Sequence, residues 1–270
     1  MKIINLGTSH GDPTLTANQT SHLIECGGKY YLIDCGEGCV ASLIRLGIKP
    51  AQLSAVFLTH MHVDHAVCLP NIIGQAEKYR RLFPENRLHV LVPNQSVTPA
   101  LQAWNIALME GRFDATKSYD VRVYGPEAPY DDGTLAVTPI GNGHLEGLLA
   151  EPEKYFPGQM LTELPRSFCL VLHGEGKKVF FSGDLSPVKP ALHDFPLEEA
   201  QDSDVVYIEL VHYNFEVAMP YFRKLRTKHL CFVHRGNHWQ TPEGEQEALQ
   251  ACAELPYRVT MTKDGFSNTL

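Results

Sequence analysis

The segment SAVFLTHMHVDH (54–65) joins a short apolar run directly to three histidines and an aspartate packed into six positions. In an extended chain, residues two apart face the same side, so His60 and His62 leave the strand pointing at one place. Asp64 and His65 then point elsewhere, and a turn into helix near His65 aims them at a neighbouring place. An account without metal has to bury or expose four polar groups for no gain, whereas divalent cations use all four. Two cations roughly 3.5–4 Å apart need about seven or eight ligand atoms, with at least one oxygen bridging them. Four residues are too few, so the fold must bring further ligands to the end of this strand.

Three candidates stand immediately beyond other apolar runs: LAVTPIGNG leads into His144, KKVFFSG into Asp184 and HLCFV into His234. Borderline and hard divalent metals take such groups. The expected arrangement has His60, His62 and His144 on one metal, Asp64, His65 and His234 on the other, and Asp184 bridging. His238 is the rival to His234, which is preferred because it ends its strand directly. Lone histidines such as His22, His89, His193 and His229 read as surface or satisfied core residues. His173 also ends a strand, but at the end of its hairpin opposite Asp184.

The surrounding chain has the punctuation of an α/β protein. KIINL (2–6), SHLIEC (21–26), KYYLIDC (29–35) and SAVFLT (54–59) read as strands, with a helix over 38–48 between the last two. A helix over 69–83 and a strand at 87–93 follow the histidine cluster. The second half repeats the grammar, with GEGKK (174–178) as a hairpin turn and helices around 219–226 and 243–253. We expect one domain over residues 1–270, built from two similar halves, about 1–125 and 126–270. The irregular stretch 145–166, with three prolines, reads as a surface insertion that shapes a substrate site.

A formal charge of −8 gives no global basic field, so a wide nucleic-acid-wrapping surface is not expected. No run of about 18 apolar residues is present to span a membrane. Seven cysteines, an odd number without any C-x-x-C pair, and an opening MKIINLGTSHG without a signal-peptide pattern read as a cytoplasmic protein with reduced thiols.

TxHxHxDH at 59–65, LIDCGEG at 32–38, His144, the SGD of 182–184 and His234 together resemble the metallo-β-lactamase superfamily of binuclear hydrolases. The resemblance covers nearly the whole chain. It implies a four-layer αββα sandwich with two metal ions at one edge, usually zinc; His and Asp ligands by themselves suit Zn, Mn, Fe and Ni alike. LGTxxGxP, LIDCGEG and HxHxDHxxxLP look most like the ribonuclease Z branch, which cuts phosphodiesters and often forms dimers, so a homodimer is expected here. The chain departs from that branch in three places. About 40 residues separate His144 from Asp184, too few for the branch's long Gly/Pro-rich arm; Ile208-Glu209 stands where the branch has a His-Glu pair; and HRGNH (234–238) replaces a Ser/Thr-bearing motif. With the acidic balance, these departures point to a substrate smaller than transfer RNA.

Other residues receive roles from position. Asp64 orients or deprotonates the attacking water. Asp34 and Glu209, carboxylates at the ends of apolar runs, hold ligand imidazoles, with turn hydrogen bonding the competing reading for Asp34. His212, His238 and Arg235 are candidates to contact an anionic substrate or assist its leaving group. Gly7-Thr8-Ser9-His10-Gly11 matches a nucleophile elbow, but Asp12-Pro13 replaces the helix the elbow requires. A turn at the edge of the metal site, with His10 near the substrate, is the better reading. The leading expectation is a metal-dependent phosphodiesterase acting on a small anionic substrate or an RNA end, including cyclic nucleotides. The alternatives are hydrolysis of a carboxylic ester, lactone, thioester or β-lactam, and a non-catalytic metal-bound sensor.

Overall fold

A computed structural model describes residues 1–12, 14–109, 118–155 and 163–270. Pro13 and residues 156–162 of the expected insertion lie outside the described residues. Strands β1 (Lys2–Gly7), β2 (Ser21–Cys26), β3 (Lys29–Ile33), β4 (Leu53–Phe57), β5 (Leu88–Val92) and β6 (Tyr119–Val123) form a first sheet, closed on the β1 side by β14 (Ser267–Thr269) from the end of the chain. A second sheet runs in the order β13 (Arg258–Met261), β12 (His229–Arg235), β11 (Val205–Leu210), β10 (Lys177–Phe181), β9 (Phe168–Gly174), β8 (Ala136–Gly141) and β7 (Tyr130–Asp131).

Each sheet changes character part-way across. In the first, β1, β2 and β3 pair antiparallel, while β3, β4, β5 and β6 pair parallel. In the second, β8, β9 and β10 pair antiparallel and β10, β11, β12 and β13 parallel. Parallel neighbours need crossovers, which here carry helices: α1 (Cys39–Arg45), α2 (Val63–Ala66), α3 (Leu69–Tyr79) and α4 (Val97–Met109) over the first sheet. The second half contains α5 (Glu146–Ala150), α6 (Pro152–Tyr155), α7 (Leu197–Ala200), α8 (Phe215–Phe222) and α9 (Pro242–Ala251).

Alternation along the strands makes three apolar interfaces from two sheets. On β4, Ala55 and Phe57 face the other sheet, joining Ile24, Tyr31, Leu170, Phe181 and Tyr207, while Val56 and Leu58 face Leu43, Leu69 and Ile72 of the helices. On the far side, Val206, Ile208 and Phe232 pack with Phe222 and Ala248. Strands covered on both faces read as near-continuous apolar runs, which is why SAVFL and VVYIEL lack clean alternation. The result is the four-layer αββα sandwich expected from the sequence.

Local chemistry sets the element ends. The Asn214 side chain accepts the backbone N–H of Val217 to start α8, and Thr241 does the same for Gly244 in α9. Glu175 and Gly176, both at positive φ, make the tight β9–β10 turn expected at GEGKK. The helix α4 and the short strands β7, β13 and β14 were not legible: β14 is the polar tripeptide SNT, ordered only by its partner β1. Among the described residues, no helix is long and apolar enough to cross a membrane.

Phe57 joins the two sheets, its ring edge-on to Tyr130 with centroids 5.0 Å apart and tilted against Tyr124 at 6.1 Å. Phe57→Ala is expected to cost roughly 3–5 kcal/mol, measured as a lower urea midpoint at unchanged m-value.

Candidate metal centre

The C-terminal ends of β4, β8, β10 and β12 open at one edge of the sandwich. After β4 the chain stays extended through His62 (φ −63°, ψ 152°) and then enters α2, so the first two histidines and the Asp64–His65 pair face different ways. Asp184 follows Gly183, which sits at φ +55° with Phe168 O only 2.5 Å from where a Cβ would stand, so no side chain fits there. His234 lies within β12 as the extra residue of a bulge: Glu209 pairs with Val233 and Leu210 with Arg235, and His234 itself sits at φ +45°. A bulge re-aims one side chain without ending the strand, and here it turns an imidazole out of the ladder toward the other ligand candidates.

Two groups of four residues result. His60, His62, His144 and Asp184 each offer one atom lying within 4.8 Å of those of the others, and so do Asp64, His65, Asp184 and His234. Asp184 belongs to both. Its Oδ2 lies 3.1 Å from Nε2 of His234, 3.7 Å from Nε2 of His144 and 3.9 Å from Nε2 of His60; its Oδ1 lies 3.3 Å from Nε2 of His65. Asp64 Oδ2 is 3.6 Å from His65 Nε2 and 3.8 Å from His234 Nε2. His62 differs in turning Nδ1 inward, 3.1 Å from Nε2 of His144.

These residues fit a pair of cations on internal grounds. His60 Nε2, His65 Nε2 and Asp184 Oδ1 are buried with no hydrogen-bond partner, His60 in one ligand group, His65 in the other and Asp184 in both. Orphaned buried groups are rare because each costs about 1–3 kcal/mol. Meanwhile the outer nitrogens of His60, His65, His144 and His234 are engaged. The Nδ1–H groups donate to Thr59 Oγ1 from His60 (3.1 Å), to Asp34 Oδ2 from His65 (2.8 Å), to Leu185 O from His144 (3.1 Å) and to Thr20 Oγ1 from His234 (2.6 Å). Such bonds fix the tautomer that leaves Nε2 bare for a metal.

Residues 1–254 match the family model described as Anti-Pycsar protein Apyc1. The chain belongs to the Apyc1 family. It is 25% identical over 292 residues to ribonuclease Z of Pyrococcus horikoshii, covering 94% of this chain and 92% of that protein. It is 34% identical over 149 residues to ribonuclease Z of Marinobacter nauticus, covering 53% of this chain and 43% of that one. The metallo-β-lactamase fold protein YhfI from Bacillus subtilis superimposes with a TM-score of 0.73 at 16% identity, covering 99% and 98% of the two chains. The short form of human tRNase Z does so at 0.68 and 18%, covering 100% and 99%. This member of the Apyc1 family is thus a metallo-β-lactamase-superfamily hydrolase of the ribonuclease Z-like type, phosphodiesterase-like and metal-dependent.

Burial and the site's own carboxylates set the electrostatics of this Apyc1-family site. Burial pushes His60, His62 and His144 below the usual histidine range, keeping them neutral. Burial acts the same way on His65, but the Asp184 and Asp34 carboxylates outweigh it and raise its pKa. Asp184, against its own burial, is held well below the carboxylate range by His234 and His65.

The remaining candidates divide. Asp34, held at φ +54°, does grip a ligand candidate, and it also accepts the N–H and hydroxyl of Thr59. Glu209 instead holds His212: Oε1 accepts its Nδ1–H at 2.8 Å, and Oε2 accepts the backbone N–H groups of Val211 and His212. His212 thus stands three residues after the glutamate, with its ring 5.0 Å from that of His144. His238 does not reach the centre. The 3₁₀ turn His238–Gln240 swings it outward, where Nε2 meets Glu247 at 2.8 Å. Arg235 is also corrected: its side chain is buried and bound to Glu245 and Trp239 O, away from any substrate. Ser9 is fully buried and bonded to Asp12 O, which removes the nucleophile-elbow reading. His10 stands at the mouth, bonded to Asn237, its ring 6.4 Å from that of His234. Thr20 and Thr59 were missed, for a hydroxyl carries no spacing signal.

Asp34→Asn keeps the volume but cannot accept from all three donors. Metal binding at the His65 group is expected to weaken about 10–100-fold, read by competition against a chromogenic chelator, with a smaller loss at the His144 group, which Asp34 reaches only through Thr59 and His60.

Proposed function

We propose that this chain is a binuclear metallo-phosphodiesterase, with zinc its metal, that hydrolyses a small anionic phosphodiester: a cyclic nucleotide or an RNA end. The sharing of Asp184 between two ligand groups carries the reading, because one bridging carboxylate is what places two cations near enough to act on one water. The relatives named ribonuclease Z support the bond type. The acidic charge and the departures in the sequence favour a compact substrate.

When bound, the two cations lower the pKa of a shared water to about 7 and stabilise charge on the phosphoryl oxygens. Asp64 Oδ2, facing His65 and His234, orients that water and accepts its proton. His212, on the other side of His144, supplies the acid. Burial alone would lower its pKa, but the Glu209 carboxylate raises it to about 9, so the ring is protonated at neutral pH and donates its remaining N–H to the departing oxygen. Beside His212 opens a groove of about 690 Å³ lined by Val211, Tyr213, Val217, Pro190 and Lys189. It receives the part of the substrate beyond the ester, and Lys189 contributes a cation at its rim.

EDTA treatment is expected to abolish hydrolysis of a chromogenic phosphodiester, and Zn²⁺ or Mn²⁺ to restore it; a protein that binds metal yet cleaves esters but no phosphodiester would overturn the proposal. The acid role of His212 gives a sign for pH. The active form is protonated, so kcat falls as pH rises through the folded pKa of about 9. His212→Ala should remove that alkaline limb and lower kcat by about 10²–10⁴-fold for alkyl leaving groups, with a much smaller loss for p-nitrophenolate, which departs unprotonated. An intact alkaline limb in the variant refutes the assignment.

A further inference from the structure

His144 and Asp184 must meet at one cation, yet the sheet does not register them. They follow β8 and β10, and β9 lies between these strands. Two strand spacings, about 9.6 Å, therefore separate the two backbone exits, and no ladder hydrogen bond spans them.

Asp194 makes the connection. It lies near the end of the irregular segment 185–196, which runs from Asp184 to α7. Its Oδ2 accepts two backbone N–H groups, from Gly143 and from Ser186, each at 2.8 Å. Gly143 directly precedes His144, and Ser186 is the second residue after Asp184. One carboxylate oxygen thus ties the two ligand-bearing turns together through charge-assisted bonds. Asp194 Oδ1 is buried without a partner, so the carboxylate sits where it does for the Oδ2 contacts at the expense of its second oxygen. The turns then lock side by side. Asn142 Nδ2 donates to Asp184 O at 2.9 Å, and His144 Nδ1 donates to Leu185 O. At the rim, Glu146 accepts from Ser186 Oγ and His193 Nε2.

We propose that Asp194 is a positioning residue that sets the approach of His144 to Asp184, and through it the metal affinity of the His60–His62–His144 group, without touching the metal or the substrate. This rests on the binuclear reading above. Asp184 serves both groups, but it is aimed by its own strand end through Gly183, so what Asp194 adds is the placement of the His144 turn; Asp64, His65 and His234 hang on α2 and β12, which the two Asp194 bonds do not reach, and the effect falls on the ion held by His144.

The test is stepwise Zn²⁺ titration of the purified full chain, with bound metal counted by mass spectrometry and affinities read by chelator competition. In Asp194→Ala, one ion is expected to bind about 10–100-fold more weakly and the other as in wild type, and turnover lost at limiting metal should return at high Zn²⁺. Asp194→Asn keeps an acceptor oxygen and should stay near wild type. Asp194→Glu keeps the charge but displaces the oxygen by one methylene; it should behave like the alanine variant, and it serves if the latter does not fold. Wild type with two ions, beside variants in which both affinities persist or both fall together, overturns the inference alone. Wild type that binds fewer than two ions overturns the binuclear reading and the inference with it.

Discussion

One buried carboxylate organises this molecule. Asp184 is 3% exposed, with imidazoles of His60, His65, His144 and His234 within 4 Å of its oxygens. A lone carboxylate at such a depth would protonate, and four imidazoles crowded together would each shed a proton. Together, the carboxylate and the imidazoles offset one another's burial. The arrangement is stable only if every outer nitrogen already has a partner, which is why Asp34, Thr59, Thr20 and Leu185 O stand behind the four rings. Buried polar networks of this sort are favourable when complete and costly when partial.

The sandwich serves that network by delivering four strand ends to one edge, each with a local device for aiming its residue. β4 gives way to a helix between His62 and Asp64; β10 is followed by Gly183, where a side chain would strike Phe168 O; β12 bulges at His234. His144 has no such device within its own strand and is set from outside, by contacts to the segment that follows Asp184. Backbone strain at Asp34 and His234, both at positive φ, lies within this network and is held there by it.

The residues proposed to act on substrate stand one layer further out, on less regular chain. Buried Glu209 and half-buried His212 pair beside His144, and the groove beyond them is walled by the segments after β10 and β11. Strand ends place the candidate ligands, and loops held by a few side chains shape the space beside them. That division lets one rigid centre serve different substrates.

From the sequence alone, the ligand candidates were legible because each is a His or Asp directly after an apolar run, and strand periodicity makes the end of such a run a defined direction. The layer order was legible for the same reason: helices between parallel strands leave continuous apolar segments. Tertiary structure alone decided the rest. It separated His234 from His238 through a one-residue bulge, turned Arg235 inward to Glu245, and paired Glu209 with His212 across a turn. Thr20 and Asp194 came into play only there, through hydrogen bonds spanning 214 and 51 residues of chain. Sequence spacing encodes which residues share a strand end; which side chain fills the last few ångströms depends on backbone dihedrals and on distant partners that no local pattern records.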